Sequence, residues 1–362
     1  MNDRINKLRE QSLNTISTLS HERARLVTEF YQSGEADKYS IPVSRALCLK
    51  YILENKELCI NEGELIVGER GPAPKATSTY PEICIHSESD LDIMHNREKV
   101  SFKSDAETRK VFKEMITPFW KGKSIRDKIF AEVDQEWKDC FEAGLFTEFM
   151  EQRAPGHTVL DNKIYKKGLL DFKKDIQESI TNLDFYHNPD AFNKREELKA
   201  MNIAADALIS FARRYSEKTA ELSKQEKDST RKKELEKISE ICRKVPANTP
   251  ETFQEALQYY WFIHLGVITE LNTWDSFNPG RLDQHLLPFY KKDIEEGRLT
   301  PESAKELLQA FWVKFNNQPA PPKVGVTAQE SNTYTDFCLI NMGGLKENGE
   351  DAVNELSYIL LD

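Results

Sequence analysis

The sequence predicts an α/β protein that is predominantly helical and built as one unit, and three observations carry that expectation. Apolar residues recur at three- and four-residue spacings along most of the 362 residues. Two short apolar runs, NEGELIVGERGP and DFCLINMGG, meet glycines as strands do at their ends. No repeat of solenoid length and no low-complexity linker divides the chain.

Each element follows from a local pattern. Ile5, Leu8, Leu13, Ile16 and Leu19 place an amphipathic helix over INKLREQSLNTISTL, and Ser20 is placed to cap the next, SHERARLVTEFY. Pro42 belongs in the first turn of a helix over PVSRALCLKYILEN. GELIVGERG then reads as a short strand, and RGPAPKATSTYPE, 70 to 82, as a loop. SDLDIMH, DAETRKVFKEMITPFW and IRDKIFAEVDQEWKDCFEAG are helices bounded by turn residues, and 166 to 245 is long-helix material. Within it, EKDSTRKKELEK interleaves opposite charges at helix spacing, the mark of a solvated face. Thr249 and Pro250 open TPETFQEALQYYWFIHLGVITELNTWD, whose all-round apolarity predicts a helix buried on most sides. The Thr-Pro opening recurs in TPESAKELLQAFWVKF, after which FNNQPAPPKVGVT is extended, DFCLINMGG is a buried strand and GEDAVNELSYILLD begins a helix. That helix stops at Leu361-Asp362 without a helix-ending signal, so the chain is expected to be the front part of a longer protein.

With 39% apolar and 10% aromatic residues the chain can bury one large core or two ordinary ones. A formal charge of −10 argues against nucleic acid, which usually demands a basic footprint. Cys48, Cys59, Cys84, Cys140, Cys242 and Cys338 have no C-x-x-C spacing, which fits free thiols in a reducing cytoplasm. The charged N-terminus is no signal peptide, and no apolar run approaches bilayer length, so no membrane partner is expected.

Familiar site signatures, from phosphate loops to H-E-x-x-H, are missing. His86 and His95 read as incidental histidines on a surface helix, and no metal is assigned. Three places invite chemistry. His157, after Pro155 and Gly156, sits on a tight turn where it either exchanges protons with a substrate oxygen or bonds a carbonyl. Asp275 follows a buried helix at the unfavourable end of its macrodipole and needs a cation, either Arg281 or a ligand ammonium. Arg281, Asp283 and His285 fall on one new helix turn, where they can cap or cross-link it. In SNTYTDFCLI, Ser331 can bond a ligand and Phe337 can wall a pocket or belong to the core.

At these segments the chain resembles the glycyl radical enzymes, the family that includes pyruvate formate-lyase. The resemblance rests on GELIVGERG, YPEI, EFMEQRAPGHTV, TWDSFNPGRLDQHL and WVKFNNQPAPPKVG, and covers essentially all 362 residues. It implies a ten-stranded β/α barrel of two antiparallel half-barrels, of which residues 1–362 are the N-terminal part of the pyruvate formate-lyase-type domain. The C-terminal glycine radical domain lies outside the sequence: neither a Gly-Cys-x-Glu cysteine loop nor an Arg-Val-x-Gly glycine loop occurs. The resemblance further implies a lyase that removes water from trans-4-hydroxy-L-proline to give pyrroline-5-carboxylate. No catalytic residue falls in this sequence, and His157, Asp275, Ser331 and Phe337 are the substrate-binding set. No cofactor is bound directly, because the glycyl radical is installed by an activating enzyme that uses S-adenosylmethionine and an iron–sulfur cluster. A homodimer and a cytoplasmic location complete the expectation. The alternatives are a glycerol or diol dehydratase, a formate acetyltransferase-like member, and a non-catalytic truncated fragment.

Overall fold

The structure, a computed structural model, describes residues 2–146, 160–271, 278–320, 324 and 340–362. Fifteen α-helices and four short strands are assigned among them. The first half contains α1 (Asp3–Asn14), β1 (Thr18–Ser20), α2 (Glu22–Gln32), α3 (Ile41–Asn55), β2 (Ala76–Ser78), α4 (Glu88–Asn96), α5 (Ala106–Val111), α6 (Thr117–Trp120), α7 (Ile125–Glu132) and α8 (Gln135–Glu142). The second contains α9 (Leu169–Thr181), α10 (Ala191–Gln225), α11 (Ser229–Lys244), α12 (Phe253–Glu270), β3 (Gly280–Arg281), α13 (Leu282–Glu295), α14 (Pro301–Asn316), β4 (Ile340–Asn341) and α15 (Glu355–Leu361).

The architecture is organised around α12. Its sequence is apolar on every face, and nearly every side chain from Phe253 to Thr269 is buried, so other elements must surround it. The long α10 packs along α3, α9 and α11 on one side, while α13 and α14 close the other. The resulting core contains Phe211, Tyr215, Tyr259, Trp261, Phe262 and Phe311. A fully buried side chain of this size contributes about 1.5–3 kcal/mol. A smaller core joins α2, α3, α4 and the turn after α5 through Leu26, Phe30, Ile52, Met94 and Phe112. The two strand pairs are both parallel, β1 with β2 (Thr18 opposite Ala76) and β3 with β4 (Gly280 opposite Ile340).

Several boundaries differ from the sequence expectation for identifiable reasons. The first helix ends at Asn14, because Leu19 is drawn into the small core on β1 while Ile16 stays exposed. Ser20 is therefore a strand residue, and His21 stands at the cap of α2 without a side-chain cap bond. The loop expected at 70–82 includes β2, whose backbone finds a partner in β1. Residues 106 to 120 are helical but contain a π turn at Phe112–Ile116, just before Pro118, which has no N–H to continue a regular ladder. The helix expected over 125 to 144 is two helices, since Asp134 caps a fresh start through a bond from the Trp137 N–H. The buried helix α12 begins at Phe253 with Thr252 and Glu255 forming its capping box, later than the Thr249-Pro250 start. At α14 the Thr300-Pro301 start is as expected.

Candidate functional site

The segment 61–71 is where the strand expectation fails most usefully. From Glu64 to Gly71 it is buried, yet it pairs with no strand. Side chains of α12 replace the ladder: Gln258 accepts from the Val67 N–H and donates to its carbonyl, both at 2.9 Å. Gln254 donates to the Leu65 carbonyl at 3.0 Å, and Trp261 to that of Gly68 at 2.9 Å. A buried backbone must be hydrogen-bonded, and here a helix performs the task a neighbouring strand would. Gly68 has φ +123, and a Cβ there would stand 2.5 Å from the Leu265 side chain, so this close approach needs glycine.

The same segment carries a buried charge cluster to the end of α14. Lys314 Nζ lies 2.5 Å from Glu64 and 2.6 Å from Glu69, and all three side chains are almost fully buried. Asn317 and Gln318 also donate to Glu69, and Asn61 to Glu64. Burial opposes the Lys314 charge, but the two carboxylates outweigh it and hold its pKa above the ordinary lysine value. Glu69 is pushed up from its ordinary value by burial, with the neighbouring Glu64 charge adding to the effect, because two carboxylates share one ammonium. Lys56 caps the loop from behind, donating to the carbonyls of Glu69 (2.8 Å) and Arg70 (2.5 Å). Burial lowers its pKa to about 8.

A second cluster terminates α12. Tyr80 donates its hydroxyl proton to the Ile268 carbonyl, and Arg23 donates to those of Thr269 (2.5 Å) and Glu270 (3.4 Å). These final carbonyls carry the negative end of the macrodipole, so a cation is the favourable partner. The Arg23 guanidinium also holds Glu82 through both nitrogens and stacks 3.8 Å from the Tyr80 ring. Although burial opposes it, the Glu82 charge keeps Arg23 firmly ionised. Burial raises the Glu270 carboxyl, and Arg45, at 2.7 Å, works against that shift. In the sequence Arg23 is marked only by its place next to Ala24, Leu26 and Val27 on the buried face of α2.

The residues after the helix break are structural. Asp283 is wholly buried, accepting from the Gly343 N–H at 2.7 Å and the Ser357 hydroxyl at 2.5 Å, which ties α13 to the β4 turn and to α15. Arg281 donates to the Leu345 carbonyl at 2.9 Å. His285 Nε2 lies 3.5 Å from Asp161, and the Tyr165 ring packs 5.3 Å away. Burial lowers the His285 pKa below its ordinary 6.5, with Arg281 adding to the effect and Asp161 opposing it. Leu160 and Asp161 both have positive φ, 59° and 45°, a strained pair for side-chain-bearing residues.

His157, Asp275, Ser331 and Phe337 all lie outside the described residues. The described chain supplies their flanks: Leu160 after the first, Glu270 and Asn278 around the second, and Gln318 and Ile340 around the last two. His86 is buried beside Phe112 instead of lying on a surface helix, because it precedes α4 and faces the small core. His95 accepts from the Ser104 N–H at 3.2 Å. Among the described residues no group of three or more His, Cys, Asp or Glu side chains could hold a metal. None of Cys48, Cys59, Cys84, Cys140 and Cys242 is joined in a disulfide. Burial raises Cys48 and Cys242 well above the usual thiol value and Cys59 to about 11, so none of these three is a thiolate at neutral pH. Also among the described residues, no helix is long and apolar enough to cross a membrane.

Comparison with known proteins places this framework. The chain is 55% identical to a trans-4-hydroxy-L-proline dehydratase of Clostridioides difficile over 99% of its own length and 46% of that protein's. It is 33% identical to an isethionate sulfite-lyase of Nitratidesulfovibrio vulgaris, covering 99% of this chain and 44% of that one. A crystal structure of the Clostridioides difficile hydroxyproline dehydratase with trans-4-hydroxy-L-proline bound superposes with a TM-score of 0.95 at 54% identity, over 100% of this chain and 46% of that one. The glycerol-bound, B12-independent glycerol dehydratase of Clostridium butyricum superposes at 0.91 and 28% identity, over 100% and 45%. The chain thus has the fold of the glycyl radical barrel enzymes and spans about half the length of these relatives. The family model for pyruvate formate lyase-like proteins matches residues 1–362, and the chain belongs to that family.

Proposed function

We propose that residues 1–362 are the N-terminal, substrate-binding part of a glycyl radical dehydratase acting on trans-4-hydroxy-L-proline. The observation that carries this reading is the 55% identity to a dehydratase of that substrate, sustained over 99% of the chain. The glycine radical domain lies outside this sequence, and an activating enzyme with S-adenosylmethionine and an iron–sulfur cluster installs the radical there. That radical, once present, supplies hydrogen-atom removal from the ring carbon beside the hydroxyl-bearing carbon. The residues of this chain bind and orient. Asp275 holds the ring ammonium, His157 hydrogen-bonds the hydroxyl or carboxylate side, and Ser331 and Phe337 complete the pocket. Loss of water gives pyrroline-5-carboxylate. The protein works as a cytoplasmic homodimer, and the 362 residues alone do not turn over substrate, because the cysteine and glycine loops are absent from them.

A carboxylate facing an ammonium in a water-poor pocket contributes about 1.5–3 kcal/mol. Asp275→Asn in the whole protein is therefore expected to weaken hydroxyproline binding at least tenfold by calorimetry while leaving the melting temperature within a few degrees. Unchanged affinity removes Asp275 from the site.

A further inference from the structure

Arg70 closes the buried segment 61–71, and its side chain is 2% exposed. Its backbone N–H donates to Gln318 and its Nη2 to the Pro319 carbonyl, whereas Nε and Nη1 are buried with no hydrogen-bond partner. The described residues contain four buried cations: Arg23 holds a carboxylate, Lys314 holds two, and Lys56 holds two carbonyls. Arg70 holds no described carboxylate. Adjacent Glu69 is taken by Lys314, Asn317 and Gln318, and Glu82 by Arg23. Beside the guanidinium stand a second cation, Lys56, and the Tyr80 phenol, whose oxygen accepts from Arg70 while its proton goes to Ile268, so no anion stands there among the described residues.

A guanidinium does not shed its charge, so burial without an anion is a state the working protein must relieve. A carboxylate is the anion whose plane and spacing match it. The position is also specific: through Tyr80 and Pro319, Arg70 touches the exits of both α12 and α14. The reading above gives the substrate's own negative end no permanent cation, since Asp275 meets the ammonium and His157 the hydroxyl or carboxylate side.

We propose that Arg70 is a carboxylate receptor, and that the carboxylate it holds in the whole protein is that of the amino-acid substrate or one from the protein itself. The first source rests on the proposed function; the receptor role rests on Arg70 alone. The test uses the whole protein with Arg70→Met and Arg70→Lys, measuring affinity for trans-4-hydroxy-L-proline and for its carboxamide, and the melting temperature without ligand. A substrate source predicts that Arg70→Met weakens the acid at least 30-fold and the amide less than threefold, with Arg70→Lys in between. A protein source predicts equal effects on both ligands, a ligand-free melting temperature several degrees lower, and substantial recovery in Arg70→Lys. If Arg70→Met melts at or above the wild-type temperature and binds both ligands normally, the receptor role is overturned. Failure of the wild-type protein to bind hydroxyproline sinks the proposed function separately, and the ligand-free melting temperatures still decide whether Arg70 is paired.

Discussion

The framework around α12 and the lobe formed by α7 and α8 are both helical, but they are held together by opposite means. In the lobe α7 buries no residue and α8 buries only Phe141. Its cohesion comes from Phe130, Trp137, Phe141 and Phe146, whose rings meet at 4.9–5.9 Å, with Arg126 over the Phe130 face at 4.3 Å. Around α12 the apolar packing is far denser, and charged side chains are nonetheless buried in it. Those charges stand at helix ends: Arg23 at the exit of α12, Lys314 with Glu64 and Glu69 at the exit of α14. A buried ion cluster is poor material for stability alone, because desolvation offsets much of the attraction. The contrast teaches that this chain buries charge where the direction of the departing backbone matters.

The largest test of that contrast is Lys314→Met, which leaves two buried carboxylates without a cation. It is expected to cost about 3–5 kcal/mol in denaturant unfolding. Adding Glu64→Leu and Glu69→Leu should recover much of that loss while leaving substrate affinity of the whole protein impaired; recovery of both would reduce the cluster to filler. Arg23→Met comes next, at about 3 kcal/mol, since it uncaps α12 and strands Glu82. Hydrogen exchange at the end of α12 should accelerate more than in α7.

A smaller effect follows from His285. Its pKa in the fold is lowered by burial, so the unfolded chain takes up the proton first as pH falls through 6.5, and stability drops below that value. His285→Gln should flatten the slope of unfolding free energy between about pH 7.5 and 5.5. At the bottom of the scale, Lys167→Ala breaks an exposed 2.5 Å pair with Asp175, which water and salt screen, and should leave the unfolding midpoint unchanged. A clear loss there would erase the distinction between buried and surface charge.

Much of this was legible in the residues. The all-round apolarity of α12, the Thr300-Pro301 start of α14 and the solvated face of α11 followed from pattern and capping chemistry. What stayed hidden was non-local. GELIVGERG looks like a strand because its residues are apolar, and nothing in it tells that Gln254, Gln258 and Trp261, almost two hundred positions away, supply its hydrogen bonds. For the break in residues 270–286 the pattern offers Arg281 or a ligand ammonium as the partner of Asp275, which lies outside the described residues; Arg281 donates to the Leu345 carbonyl, and the carbonyls that end α12 are held by Arg23, brought there by the packing of α2. The expected pocket residues rest on family resemblance, with the described fold supplying the anchors on either side of them.

The most direct test of the central claim is substrate selectivity in the whole protein after radical activation, assayed in parallel with trans-4-hydroxy-L-proline, glycerol and isethionate. Pyrroline-5-carboxylate from the first, with at least a hundredfold preference over the others, is the predicted result. Turnover of glycerol or isethionate with none of hydroxyproline would contradict it.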